Sequence, residues 1–260
     1  MNIVVLVKQV PDTWSERKLS DSDHTLDRAS ADAVLDEINE RAVEEALLIK
    51  EAHGGEVTVV SMGPDRATDA IRKALSMGAD KAVHLSDEAL HGSDTVATAK
   101  ALAKAIGTVG SVDLVIAGNE STDGRSGAVP AMLAELLGLP QLTYARKVTT
   151  DGSTVSVERE SDAGIVSVEA NLPAVVSVTE KINEPRYPSF KGIMAAKKKP
   201  VEVLSLADAG IDASEVGLAN AGSTVVESAP KPPKSGGERV TDEGEGGVQV
   251  VEYLAGQKLV

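Results

Sequence analysis

The chain of 260 residues contains no cysteine. Disulfides, thiolate metal sites and cysteine nucleophiles are therefore excluded. Aromatic residues are only 2% of the chain, with one Trp and one Phe, so Val, Ala, Leu and Ile must fill any core. Cations are in deficit: 26 Lys and Arg stand against 40 Asp and Glu, a net charge of −14. That balance argues against non-specific nucleic-acid binding and against adhesion to anionic membranes. No apolar run reaches membrane-spanning length, and no basic stretch followed by a long apolar one opens the chain, so no membrane insertion is expected and the default location is the cytoplasm. The histidines, His24, His53, His84 and His91, are dispersed, with no HExxH and no pair one helical turn apart. No metal site and no catalytic residue is expected from them.

Against these absences, 42% of residues are apolar, enough for a substantial core. Their arrangement alternates between two periods. Runs at 3–7, 56–62, 81–85 and 114–117 are continuous and short, as in strands covered on both faces. Between them lie stripes near a 3.6 period, at 32–52 (Val34, Leu35, Ile38, Ala42, Val43, Ala46, Leu47, Ile49), 66–77, 95–106 and 128–137. Gly54, Gly78 and Gly138 follow three of these stripes as stops, and Ser93 or Asp94 can cap the third. Strand–helix alternation with short connections means a parallel sheet between two helix layers. After Pro140 the pattern changes. Residues 142–148, 154–159, 164–169 and 174–178 are strand candidates with no helix between them, which read as an antiparallel extension of the sheet. Residues 12–31 read as a polar loop, and 229–247 as a low-complexity linker before a short helical stripe at 248–259. That helix is too short to stand alone and must dock on this chain or another.

The stretch 114–127, LVIAGNESTDGRSG, runs from a buried strand into a loop of Gly, Asn, Ser, Thr and Asp. Open α/β sheets bind ligands at such carboxyl ends. Gly118, Gly124 and Gly127 let backbone approach a ligand, and the next helix N-terminus suits a phosphate. The loop is neither a Walker A sequence nor a GxGxxG fingerprint. An anion site and an ordinary tight connection therefore both remain open on spacing alone. Leu6 to Lys8 sit at the same edge, at the end of the first strand. Asp113 and Asp123 read as caps or solvated side chains. Residues 179–200 carry Pro185, Pro188 and the run Lys197, Lys198, Lys199, and read as an exposed loop ending in a short helix over 193–199 stopped by Pro200. Tyr187, Phe190, Ile193 and Met194 are apolar groups on this otherwise solvated segment, and they suit either a contact surface or a fold-back onto the core.

Several of these stretches agree, in order, with one family. VLVKQVPD at 5–12, NERAVEEAL at 39–47, IRKALSMGAD at 71–80, the loop GNESTDGRSG, VERESDAGI at 157–165 and LPAVVSVTEKINEPRYPSFKGIMAAKKKP at 172–200 resemble the beta subunit of electron transfer flavoproteins. The resemblance implies an adenine-nucleotide-alpha-hydrolase-like α/β sandwich, three-layered and mostly parallel, with a C-terminal arm. It implies a nucleotide-binding domain over 1–186, a partner-docking loop and helix over 187–200, and an extension over 201–260 that docks on an alpha subunit. It implies structural AMP here and FAD mainly on the alpha subunit, with no bond chemistry in this chain. In bifurcating members a second FAD takes the AMP slot. Acyl-CoA dehydrogenases or other flavoprotein dehydrogenases are the implied donors, and a quinone oxidoreductase the acceptor. By position, the AMP site maps onto Leu6, Asp36, Ile38, Asn39, Met62, Gly118, Asn119, Glu120, Ser121, Thr122, Asp123, Gly124, Arg125, Ser126 and Gly127. Donor docking maps onto Tyr187, Phe190, Ile193 and Met194. Two departures stand out: Ala195 where a Lys is common, and a 120–126 loop without the frequent Gln-Ala-Ile-Asp start. An ATP-pyrophosphatase-like enzyme on the same fold would need a Ser-Gly-Gly-rich loop where this chain has Lys8-Gln9-Val10-Pro11-Asp12. A free-standing nucleotide-binding protein would leave the docking segment and arm without a purpose.

Overall fold

The structure, a computed structural model, describes residues 1–234, 236–237 and 239–260. Two positions of the expected linker, Ser235 and Glu238, thus lie outside the described residues. The chain divides into two compact units, Met1–Val226 and Glu227–Val260. The first holds a nine-stranded sheet. Its parallel part contains β1 (Asn2–Leu6), β4 (Glu56–Met62), β5 (Lys81–Leu85), β6 (Leu114–Gly118), β10 (Ala174–Val178) and β11 (Val201–Leu204). A ribbon of β2 (Gln9–Pro11) and β3 (Ala33–Leu35) stands apart from it. The antiparallel part is β7 (Gln141–Thr150), β8 (Thr154–Ser161) and β9 (Gly164–Asn171), and β7 joins the rest by running parallel to β10. The order across the sheet is β11-β5-β4-β1-β6-β10-β7-β8-β9.

Side-chain alternation in β1 shows how the layers are built. Ile3 and Val5 face helices α1 (Glu37–His53) and α2 (Thr68–Met77), packing with Ala42, Val43, Ala46, Leu47, Ile71 and Leu75. Val4 and Leu6 face α3 (Thr95–Thr108) and α4 (Val129–Leu137), packing with Ala101, Leu102, Ala105 and Leu133. Alanine on the helices lets them lie close to a sheet of β-branched residues, which is how a core forms without aromatics. Each fully buried Val, Leu or Ile contributes about 1.5–3 kcal/mol. The expected three-layer sandwich is thereby met.

Three expected elements come out differently. The helix expected from residue 32 starts at Glu37, and Val34 and Leu35 instead belong to β3, with Val10 opposite Val34. The reason is Asp36, whose carboxylate caps the helix from an extended backbone and so forbids helix before it. The strand at 174–178, expected in the antiparallel extension, lies between β6 and β7 with all five residues buried. A continuous apolar run suits a strand covered on both faces, and that cover exists only in the parallel part. The short helix expected at 193–199 is α5 (Phe190–Ala196), moved three residues earlier because Ser189 Oγ accepts from the Gly192 N–H at 3.1 Å. In the second unit, α6 (Gly246–Gly256) has no buried residue, and Val250, Val251 and Tyr253 are exposed.

Candidate functional site

Strands β1, β4 and β6 end side by side at Leu6, Met62 and Gly118, and the α1 N-terminus reaches the same edge. Asp36 organises the junction. One carboxylate oxygen accepts from the Ile38 and Asn39 N–H groups at 3.0 and 3.2 Å. The other accepts from the Thr122 N–H at 2.7 Å. A single side chain, fully buried, therefore caps a helix and fixes the loop that leaves β6. Gly118 sits where no side chain fits: a Cβ would lie 2.6 Å from Asn39 Nδ2 and 3.0 Å from Ile38 Cγ2. Asn119 continues the sheet ladder by donating its N–H to the Val178 carbonyl at 2.8 Å. Its buried Oδ1 has no hydrogen-bond partner among the described residues. Beyond Asp123 the loop turns outward. Gly124, Arg125 and Ser126 are exposed, Arg125 adopts a left-handed φ of 49°, and Gly127 one of 66° beneath the Tyr144 hydroxyl.

Asp123 is not the cap or solvated side chain that its local sequence suggests. Its side chain is 1% exposed and paired with Lys8 at 2.8 Å and Arg28 at 2.9 Å. Burial alone would raise this carboxyl, but the Lys8 charge and hydrogen bond, with Arg28, hold it well below the usual carboxylate range. Burial conversely pushes the Lys8 ammonium below its ordinary value, against the pull of Asp123. Arg17 donates to the Thr122 carbonyl. Arg66 donates to the carbonyls of Arg28 and Ala31 at 2.7 and 3.3 Å. The polar stretch 12–31 is thus a strap, fastened by arginines over the loop after β6. Lys8, Arg17 and Arg28 gather here around Asp36, Asp123 and the loop's own Glu120, a local concentration of cations in an acidic chain. Lys8 carried a signal, a charge directly after an apolar strand at the ligand edge. Arg17, Arg28 and Arg66 carried none.

Below the β4 end, His84 is buried and its Nε2 lies 3.0 Å from the Gly63 carbonyl. Burial holds its imidazole below the ordinary 6.5, although the Gly63 carbonyl opposes this. Among the described residues no cluster of three or more His, Asp or Glu could hold a metal ion. No described helix is long and apolar enough to cross a membrane.

The mapped nucleotide residues are therefore brought together, with Glu120 and Ser121 half-buried between Asn119 and Asp123. The four mapped docking residues lie elsewhere and point outward. Tyr187 is 94% and Phe190 80% exposed, and Ile193 and Met194 are also exposed.

Residues 23–209 match the family described as the electron transfer flavoprotein domain. The chain belongs to the electron transfer flavoprotein family, on its beta-subunit side. Electron transfer flavoprotein subunit beta of Mycobacterium tuberculosis (strain H37Rv) is 67% identical over all of this chain and 99% of its own. The Mycobacterium leprae protein of the same name is 66% identical with the same coverage. A more distant relative, 37% identical over 93% of this chain and 92% of its own, is the caffeyl-CoA reductase-Etf complex subunit CarD of Acetobacterium woodii. As an electron transfer flavoprotein subunit the chain is part of an electron carrier that involves a flavin.

Proposed function

We propose that this chain is one half of a heterodimer, holding AMP structurally at the β1–β4–β6 edge while an alpha subunit carries the FAD. FAD bound there supplies the redox chemistry. This chain supports it and docks the donors, acyl-CoA dehydrogenases or other flavoprotein dehydrogenases, through Tyr187, Phe190, Ile193 and Met194. Electrons then leave to a quinone oxidoreductase and the respiratory chain, and the complex works in the cytoplasm. The terminal segment with α6 grips the alpha subunit.

The observation that carries the nucleotide reading is the Gly118–Asn119 step. It pairs a backbone with no room for a side chain with a buried amide oxygen that has no donor among the described residues. Burying an acceptor without a partner costs about 1–3 kcal/mol, and a ligand amine or hydroxyl would remove that cost. The neighbouring cations and the exposed residues 124–126 suit a phosphate. A second reading puts FAD in the same slot, as in bifurcating members. It draws on the relative named as part of a reductase complex.

Co-expression with the alpha subunit, followed by denaturation and nucleotide analysis, separates these. One flavin and one AMP per heterodimer is the expected result. Two flavins and no AMP would establish the second reading. A colourless chain that ignores the alpha subunit would overturn both.

A further inference from the structure

Between the end of β10 and the start of α5 the chain runs through residues 179–189 without helix or strand. Such a segment loses about 1–2 kcal/mol per residue on ordering, so something must hold it. The holding groups are polar and sit on α1. Asn183 donates to the Arg41 carbonyl at 3.1 Å and to Glu45 Oε2 at 3.0 Å, and Arg41 returns a hydrogen bond to the Asn183 carbonyl. Three residues on, Arg186 spreads its guanidinium over two carboxylates. Its Nε and one terminal nitrogen take the two oxygens of Glu44 at 2.8 and 2.9 Å, while Glu51 takes the terminal nitrogens at 2.5 and 3.2 Å. The Arg186 N–H adds a third bond to Glu44, at 3.1 Å.

Glu44 and Glu45 are adjacent and both buried. Burial, helped by the Glu44 charge, raises the Glu45 carboxyl despite the Asn183 hydrogen bond. Two neighbouring buried carboxylates are a costly way to fix a loop, and apolar residues of similar volume are often as stabilising. What an apolar contact does not supply is direction, since a planar fork bound at both edges sets the angle of the backbone that carries it. The next residue is Tyr187, and Ser189 opens α5 three residues after Arg186. At its far side α5 is seated on α2: Gly192 is so close that a Cβ would lie 2.4 Å from the Ser76 carbonyl oxygen, and Arg72 donates to the carbonyls of Ala196 and Lys199 at 2.6 and 2.8 Å. The exposed apolar quartet is therefore displayed from a bracket pinned at both ends.

We propose that Arg186 is a positioning residue for donor docking: chelated by Glu44 and Glu51, it sets the direction in which Tyr187, Phe190, Ile193 and Met194 meet a partner's apolar pocket. This rests on the docking role given to those four residues above. A loop held in its bound shape avoids the ordering cost on association, about 0.5–1.5 kcal/mol for each immobilised side chain. Lysine keeps the charge at this place and loses the fork.

The test uses the alpha–beta complex and one flavoprotein dehydrogenase donor, with steady-state electron transfer, flavin content and thermal stability measured together. Arg186→Lys is expected to raise the KM for the complex about tenfold at unchanged kcat and flavin content. Glu51→Gln, at an exposed position, is expected to raise KM about twofold to threefold without loss of stability, which keeps the proposal testable should Arg186→Lys fold poorly. Phe190→Ala serves as the reference. If Phe190→Ala raises KM while Arg186→Lys and Glu51→Gln both leave it at the wild-type value, Arg186 is only a structural tether and the inference is wrong. If Phe190→Ala itself changes nothing, the docking role falls and the inference with it.

Discussion

Helix α1 meets two loops and treats them in opposite ways. At its N-terminus Asp36 draws the loop after β6 inward, so that Asn119 and Thr122 are buried and Asp123 is sealed between cations. Two turns later Glu44, and beyond it Glu51, fix the arm at Arg186 while its apolar side chains face solvent. The same residue type, an acidic group on one helix, thus builds a buried polar site at one end and an exposed apolar one further along. The difference lies in what the captured loop offers: backbone N–H groups and glycine in the first case, a guanidinium followed by Tyr and Phe in the second. The buried site is expected to depend on charge and pH. The exposed one is expected to be energetically silent in the folded chain and to matter only on contact.

The largest effect should come from Asp36→Ala. It removes a helix cap and leaves the Thr122 N–H buried without its acceptor, for a loss of about 2–4 kcal/mol. Urea denaturation of the complex, read as a shift in midpoint, checks this. Asp123→Asn should cost about 1–3 kcal/mol, less than for a fully buried pair because Lys8 and Arg28 keep about a third of their side-chain exposure. Because the Asp123 value is depressed, its contribution is complete above the ordinary 3.8 and is lost as pH falls below it. The gap between wild type and Asp123→Asn should therefore close in strong acid, and a gap that persists there would remove the charge argument.

His84 gives a smaller effect in a different window. Its depressed value means that the unfolded chain binds a proton first as pH falls from 6.5. Stability should decline below that point by at most about 1.4 kcal/mol per pH unit until the folded value is passed. His84→Gln should flatten this limb of a stability–pH profile. The smallest effect belongs to the arm. Phe190→Ala should change stability by no more than about 0.5 kcal/mol, because the ring is 80% exposed, while slowing transfer from donors.

Much of the fold is readable where the chain gives continuous apolar runs. β4 and β5 begin and end where composition places them, because Glu56 and Lys81 open each run and Gly63 and Ser86 follow it. The β2–β3 ribbon is not readable. Its two strands are three residues each, they lie far apart in sequence, and Val34 and Leu35 continue the helical period of α1 by coincidence. The place of β10 is not readable either, because chain order is a poor guide to sheet order once β7, β8 and β9 are inserted before it. At the site, Gly118 to Gly127 announce themselves by composition. The strap does not, since Arg17 and Arg28 lie in a polar stretch whose partners, the Thr122 carbonyl and Asp123, are about a hundred residues away.

The central claim is that nucleotide holding and donor docking are separate properties of one helix-anchored scaffold. Bound nucleotide and donor KM, determined together on alpha–beta complexes carrying Gly118→Val or Phe190→Ala, test it most directly. The account predicts that Gly118→Val empties the slot of AMP, because its Cβ collides with Asn39 and Ile38, and that Phe190→Ala keeps a full complement of AMP while raising KM. Full AMP in the Gly118→Val complex, or an unaltered KM in the Phe190→Ala complex, would contradict it.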